Sequence, residues 1–212
     1  MIYNSKNMMF VGIFIAASII SMGPHAMAIE EPSYRVLETE GKFELRKYPS
    51  YIVAETYVEG DFESVGSEGF RHLADYIGGK NRKKESISMT APVSQKPASE
   101  KIAMTAPVSQ ARKKGRWRIA FMMPSTYTLE TLPVPDDDRI ALREENEKTV
   151  AVIRYSGTWG KKRYEMHAAK LMDWISKKGW NIVGASVWAR YNPPFMPWFM
   201  RRNEILIPVQ RH

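Results

Sequence analysis

The stretch Phe43–Phe62, FELRKYPSYIVAETYVEGDF, has a faint second copy at Ile140–Trp159, IALREENEKTVAVIRYSGTW. At a constant offset of 97 residues Leu45 and Arg46 meet Leu142 and Arg143. Val53 and Ala54 meet Val150 and Ala151, Gly60 meets Gly157, and Phe62 meets Trp159. Each copy reads as two short strands closed by a glycine and an aromatic residue. Each is followed by a helical period. Phe70, Leu73 and Ile77 share one face of the first helix; Tyr164, Ala168, Leu171 and Ile175 share one face of the second. Gly78-Gly79 and Gly179 supply the stops.

Further strands follow each helix. Trp117, Ile119, Phe121 and Met123 alternate with Arg118 and Ala120 in the first half, and Ile182–Tyr191 and Glu204–Val209 serve the second. The expectation is an α+β fold of internally duplicated ββαββ units forming a distorted β-barrel with two helices. Such a fold leaves clefts between its halves or between helix and sheet, where ligands commonly sit.

A louder repeat lies between the two halves. ISMTAPVSQ at Ile87–Gln95 returns as IAMTAPVSQ at Ile102–Gln110. Alternation puts Ile87, Met89, Ala91 and Val93 on one face, and Ile102, Met104, Ala106 and Val108 likewise. Lys96–Glu100 then suits the loop of a hairpin, with both sets of apolar residues turned to the core. Pro92 and Pro107 require an edge or bulge position. Met89 and Met104 as paired haem ligands is the rarer alternative.

The chain has 212 residues, a formal net charge of +8 and no cysteine. Absent cysteine excludes disulfides, thiolate metal sites and covalent c-type haem attachment. Lys6, the apolar run Met8–Ile20 and Ala26-Met27-Ala28 have the anatomy of a secretory signal peptide, with cleavage expected after Ala28. The organisation is then a leader over residues 1–28, one domain over 29–212, and a periplasmic address. Basic residues occur in short scattered groups, as on a solvated surface, and an exported chain rarely meets nucleic acid, so none is expected as a partner. Oligomeric state is not legible.

Catalytic constellations are missing: there is no phosphate-cradling glycine loop, HExxH or GxSxG. Asp136-Asp137-Asp138 reads as a solvated turn. His72 falls on the solvent side of its helix. His167 falls at the edge of an apolar face, as a core-edge histidine or as an iron ligand. No enzyme is expected. Thirteen methionines and six tryptophans are a better pointer. Most belong to ordinary core, but Tyr191–Arg202, YNPPFMPWFMRR, is stiffened by prolines and carries Phe195, Met196, Trp198, Phe199 and Met200 ahead of Arg201 and Arg202. An apolar flap rooted in cations suits an amphipathic anion such as a porphyrin with its propionates. It suits equally a membrane interface, hence peripheral membrane contact, or a lid packed over the end of a barrel.

The segments KIAMTAPV (Lys101–Val108), DYIGGKN (Asp75–Asn81), HAAKL (His167–Leu171) and YNPPFMPWFMRRNE (Tyr191–Glu204) together resemble the SOUL haem-binding family, particularly its bacterial and plant form. The resemblance implies a barrel of two four-stranded sheets with two helices, and non-covalent haem or porphyrin binding beside the first helix. It places apolar contacts at Phe70 and Ala74, with Ile77 flanking them. The arginine and lysine that animal members offer to the propionates fall here on Ser67 and Asp75. Arg71, Lys80, Arg82 or the Arg201-Arg202 pair are the available substitutes. The expected function is a haem or porphyrin carrier, buffer or sensor. The alternative is a module for another amphipathic molecule such as a lipid or aromatic metabolite, and after that an enzyme acting on such a ligand.

Overall fold

The computed structural model describes residues 29–84 and 99–211. The expected leader and the first copy of the doubled phrase, Ile87–Gln95, lie outside them. In chain order the elements are β1 (Arg35–Glu40), β2 (Phe43–Tyr48), β3 (Tyr51–Val58), α1 (Phe62–Ile77) and β4 (Asn81–Arg82). There follow β5 (Val108–Lys113), β6 (Arg116–Met122), β7 (Val134–Pro135), β8 (Ala141–Glu145) and β9 (Lys148–Tyr155). The last are α2 (Lys161–Lys177), β10 (Asn181–Ile182), β11 (Val187–Arg190), a 3-10 turn (Trp198–Met200) and β12 (Asn203–Gln210). The fold is α+β, as expected.

The consecutive strands of each repeated stretch are not partners. β2 pairs with β9, setting Leu45 opposite Ala151, while β3 pairs with β8, setting Val53 opposite Arg143. The two stretches therefore interlock. The main antiparallel sheet runs β1-β2-β9-β12-β11-β5-β6-β3-β8, with β10 attached to β12. From β2 to β8 the order reads alike from both ends when each strand is matched to its counterpart in the other half. That symmetry is a property of the strand order.

The barrel expectation is corrected: β1 and β8 end the sheet and do not pair, so it stays open. Both edges explain why. β8 turns Arg143 and Glu144 to solvent, and charged edges resist further pairing. β1 is exposed along most of its length, and its Glu38 and Glu40 bind Lys178 beyond α2 instead of another strand.

Period-2 alternation gives the sheet two buried faces. One carries both helices: Leu45, Ala151, Ile153, Ile205 and Ile207 meet Leu171, Trp174 and Ile175 of α2. Ala54, Ile119 and Phe121 meet Leu73, Tyr76 and Ile77 of α1. Phe62, at the start of α1, stacks on Trp188 of β11 at 5.0 Å and 13° within the first group. The opposite face holds Tyr48, Val150 and Val152. Its cavity measures about 60 Å³, room for a few water molecules, whereas organic ligands fill roughly 300–1,000 Å³.

The second copy of the doubled phrase does not make the expected strand. Only Val108–Gln110 of the second copy lies in β5, and both edges of β5 are taken, by β6 and β11. A hairpin partner for those residues is thereby excluded. Met104, expected in the core, is 46% exposed. Thr105 is buried instead, donating its hydroxyl to the Met122 carbonyl at 2.5 Å, and this pin breaks the alternation.

Candidate functional site

On α1 the residues at four-residue spacing, Gly66, Phe70 and Ala74, form one flank of the helix, between its core face and solvent. Phe70 is 36% exposed, with its ring 5.3 Å from Phe121 of β6. Ala74 is half-buried and Arg71 exposed. Ile77 does not join this surface. At 6% exposure it packs among Leu73, Ile102 and Leu132 in the core, because its direction lies nearer the sheet than Ala74.

The Gly66 end of the flank lies against Gln110 of β5 and Arg190 of β11. Val108 pairs with Phe121 on one side and Arg190 on the other, so Arg190 lies two strands from Phe70's aromatic partner. Arg190 shares the parity of Trp188 and so points to the helix side of the sheet. Its guanidinium lies 4.9 Å from the Trp188 ring and 5.3 Å from Trp159. It comes so close to α1 that a Cβ on Gly66 would lie 2.6 Å from Nη2. The Nε is buried without a hydrogen-bond partner among the described residues. Burial brings this guanidinium down to about 10, against a partial opposing pull from Tyr155. Gln110 donates Nε2 to the Phe62 carbonyl at 3.0 Å, while its Oε1, also beside Gly66, finds no donor.

Trp159 links this point to the flap. Its Nε1 donates to Asn203 Oδ1 at 2.9 Å, and the Arg201 guanidinium lies over its ring at 4.4 Å. Arg201 in turn donates to the carbonyls of Met196 at 2.7 Å and Pro194 at 2.6 Å, holding the loop in shape. On that loop Phe195 is 86% and Trp198 57% exposed, Phe199 and Met200 comparably so, and Met196 half-buried. Gly157 N donates to the Trp198 carbonyl at 3.0 Å, tying the tip down.

Most of the expected substitute cations are occupied. Lys80 binds Asp75 at 2.8 Å and Arg82 binds Asp136 at 3.1 Å. Arg202 binds Glu31 and Glu204. Glu204, fully buried, also receives Arg46 through two hydrogen bonds of 2.8 and 3.1 Å and the Tyr191 hydroxyl at 2.9 Å. Burial pushes its carboxyl up, yet Arg46, Arg202 and Tyr191 together hold it below the ordinary value. Arg71, Arg201 and the unanticipated Arg190 are the cations around the site without an ion pair among the described residues.

His72, expected at the solvent side, is half-buried. His167 lies face to face with Tyr155 at 3.9 Å, and burial, then Lys170, Arg163 and Lys42, push it down. Among the described residues no group of three or more His, Asp or Glu is placed to hold a metal ion, and no helix is long and apolar enough to cross a membrane.

A family model described as SOUL heme-binding protein matches residues 29–208. The chain belongs to that family. It is 28% identical over 166 residues to heme-binding protein 1 of Xenopus tropicalis, across 77% of this chain and 81% of the relative. It is 26% identical over 201 residues to heme-binding protein 2 of Mus musculus, across 87% and 92% respectively. Among solved structures the EcmrR C-terminal domain superposes with a TM-score of 0.57 at 13% identity, over 84% of this chain and 99% of that domain, a likeness of fold alone.

Proposed function

We propose that the chain is a non-covalent haem or porphyrin binder, acting as carrier, buffer or sensor in the cell envelope without catalysis of its own. The observation that carries this reading is the flap, where Phe195, Trp198, Phe199 and Met200 stand more than half exposed. Clustered exposed aromatics of this kind mark a binding surface. The cavity behind the sheet has room for only a few water molecules, which supports the helix side as the place for a macrocycle. There Phe70 and Ala74 offer the apolar flank, with Met196 inside the loop and Arg201 at its root. The residues fit the group in kind: flat apolar surface beside a cation with no carboxylate of its own. A bound haem would supply redox chemistry and a Soret band; the protein's part is to bury one face of it and neutralise its acids.

Titration of the Ile29–His212 chain with haemin is expected to give a saturable Soret change at near-unit stoichiometry. Ala74→Glu is expected to weaken it at unchanged fold. Absence of the change at micromolar protein overturns the reading.

A second reading, a module for another amphipathic molecule, draws on Ser67 and Asp75, which leave α1 without the family's cations. Native mass spectrometry of the purified protein separates the two, since a co-purifying molecule other than a tetrapyrrole is seen directly. The periplasmic address rests on the leader, and N-terminal sequencing of the exported protein is expected to start at Ile29.

A further inference from the structure

We infer that Arg190 is the carboxylate anchor of this site, a guanidinium held between Trp159 and Trp188 in front of Gly66 to receive the acid group of an amphipathic ligand. The inference rests on the binding reading above and adds to Arg201 a second cation, on the sheet beside α1.

Other buried arginines of the sheet are paired with carboxylates. Arg46 is matched by Glu204 and Glu44, and Arg118, on the same face of the sheet away from the helices, by Glu55 and Glu145. Removing a charge from water is costly unless a partner replaces the solvent, and among the described residues Arg46 and Arg118 obey that rule. Arg190 departs from it. The two indoles compensate in part, since a cation near an aromatic ring is attracted to its face. They leave Nε unmet, and the forked edge of a guanidinium suits a carboxylate.

Gly66 is the second observation. A glycine inside a helix costs about 1 kcal/mol relative to alanine. Here the vacant position is filled by the guanidinium, with Nη2 at 2.6 Å and Nη1 at 3.2 Å from where a Cβ would stand. The same helix flank carries Phe70 and Ala74. A ligand whose apolar body lay along that flank would bring an acidic end to Arg190 and its far face under the flap held by Arg201.

The test uses the Ile29–His212 chain and three probes: haemin, haemin dimethyl ester and a fluorescent long-chain fatty acid, dansylaminoundecanoic acid. Wild type is expected to bind haemin about 10- to 100-fold more tightly than the ester, the range for one charge-assisted contact. Arg190→Gln is expected to lose most of that factor for haemin and so to narrow the gap between acid and ester, Arg201 keeping the remainder. Gly66→Ala, which keeps the cation but occupies its cradle, should move the same way, and Arg190→Lys should fall between because it lacks the fork. Far-UV circular dichroism checks that each variant is folded; should Arg190→Gln not fold, Gly66→Ala and Arg190→Lys decide. Haemin binding that is equally tight in wild type and variants, or indifferent to esterification, overturns the anchor while leaving the haem reading standing. Failure of haemin together with Arg190-dependent binding of the fatty acid removes the haem reading and keeps the anchor. Failure of all three probes removes both.

Discussion

Gly69 is the point at which α1 touches the sheet: a Cβ there would stand 2.7 Å from Cβ of Ile119. An atom so close to its own backbone cannot swing aside, so the helix or the strand would have to move. Gly69→Ala is therefore expected to destabilise by about 1–3 kcal/mol, the cost of overpacking, even after the helix-propensity gain of about 1 kcal/mol. At roughly 2–4 °C per kcal/mol for a domain of this size, the midpoint of thermal unfolding should fall by several degrees. A variant as stable as wild type would mean that α1 stands off β6.

The carboxyl of Glu204 makes stability depend on pH in a definite direction. Its folded value lies below its ordinary 4.5, because the gain from Arg46, Arg202 and Tyr191 exceeds the cost of burial. The unfolded chain thus takes up the proton first as pH falls. The contribution is complete above about 4.5 and is lost as pH drops through the lower folded value. Glu204→Gln should cost about 3–5 kcal/mol at neutral pH, since it strips Arg46 of its main buried partner, and should flatten the acid limb of the melting-temperature profile. Replacing Arg46 and Glu204 together by apolar residues should cost less than either single change. An acid limb unchanged in Glu204→Gln would place the responsible carboxylate elsewhere.

The elements were legible because local patterns specify them. Alternation of Trp117, Ile119 and Phe121 and the helical period of Ala168, Leu171 and Ile175 each report one buried face, and those faces are buried as read. Closure was not legible. It turns on whether β1 meets β8, a pairing between residues about a hundred positions apart that no local period encodes. The doubled phrase misled for a related reason: its alternation is genuine as letters, but Thr105 finds a carbonyl on β6 and sinks in place of Met104. In the site, the flap, Phe70 and Arg201 could be read from composition and resemblance. Arg190 could not be read from charge, being one basic residue among many. Its parity with Trp188 in a short strand was the available signal, since it puts a cation on the apolar side. Arg202, the more obvious candidate, is spent on Glu31 and Glu204, and sequence proximity to the flap said nothing of that.

Ile77 and Trp198 separate packing from binding. Ile77 is sealed in the core beside Leu73, Ile102 and Leu132, so Ile77→Ala removes buried volume and should cost about 2–5 kcal/mol. Because the flank formed by Gly66, Phe70 and Ala74 stays in place, its haemin affinity at a temperature where the variant is folded should remain within about twofold of wild type. Trp198 is more than half exposed and meets Phe199 edge-to-face at 5.6 Å, so Trp198→Ala should alter stability by about 0.5 kcal/mol or less. It removes one of the large apolar faces offered by the flap, and haemin binding should weaken by about tenfold, in line with the roughly 1–3 kcal/mol that burying a large side chain contributes. Chemical denaturation and Soret titration of both variants give the crossed pattern expected. If Ile77→Ala weakened haemin binding while Trp198→Ala left it intact, the ligand would lie nearer the C-terminal end of α1, and the flap would be a structural cover.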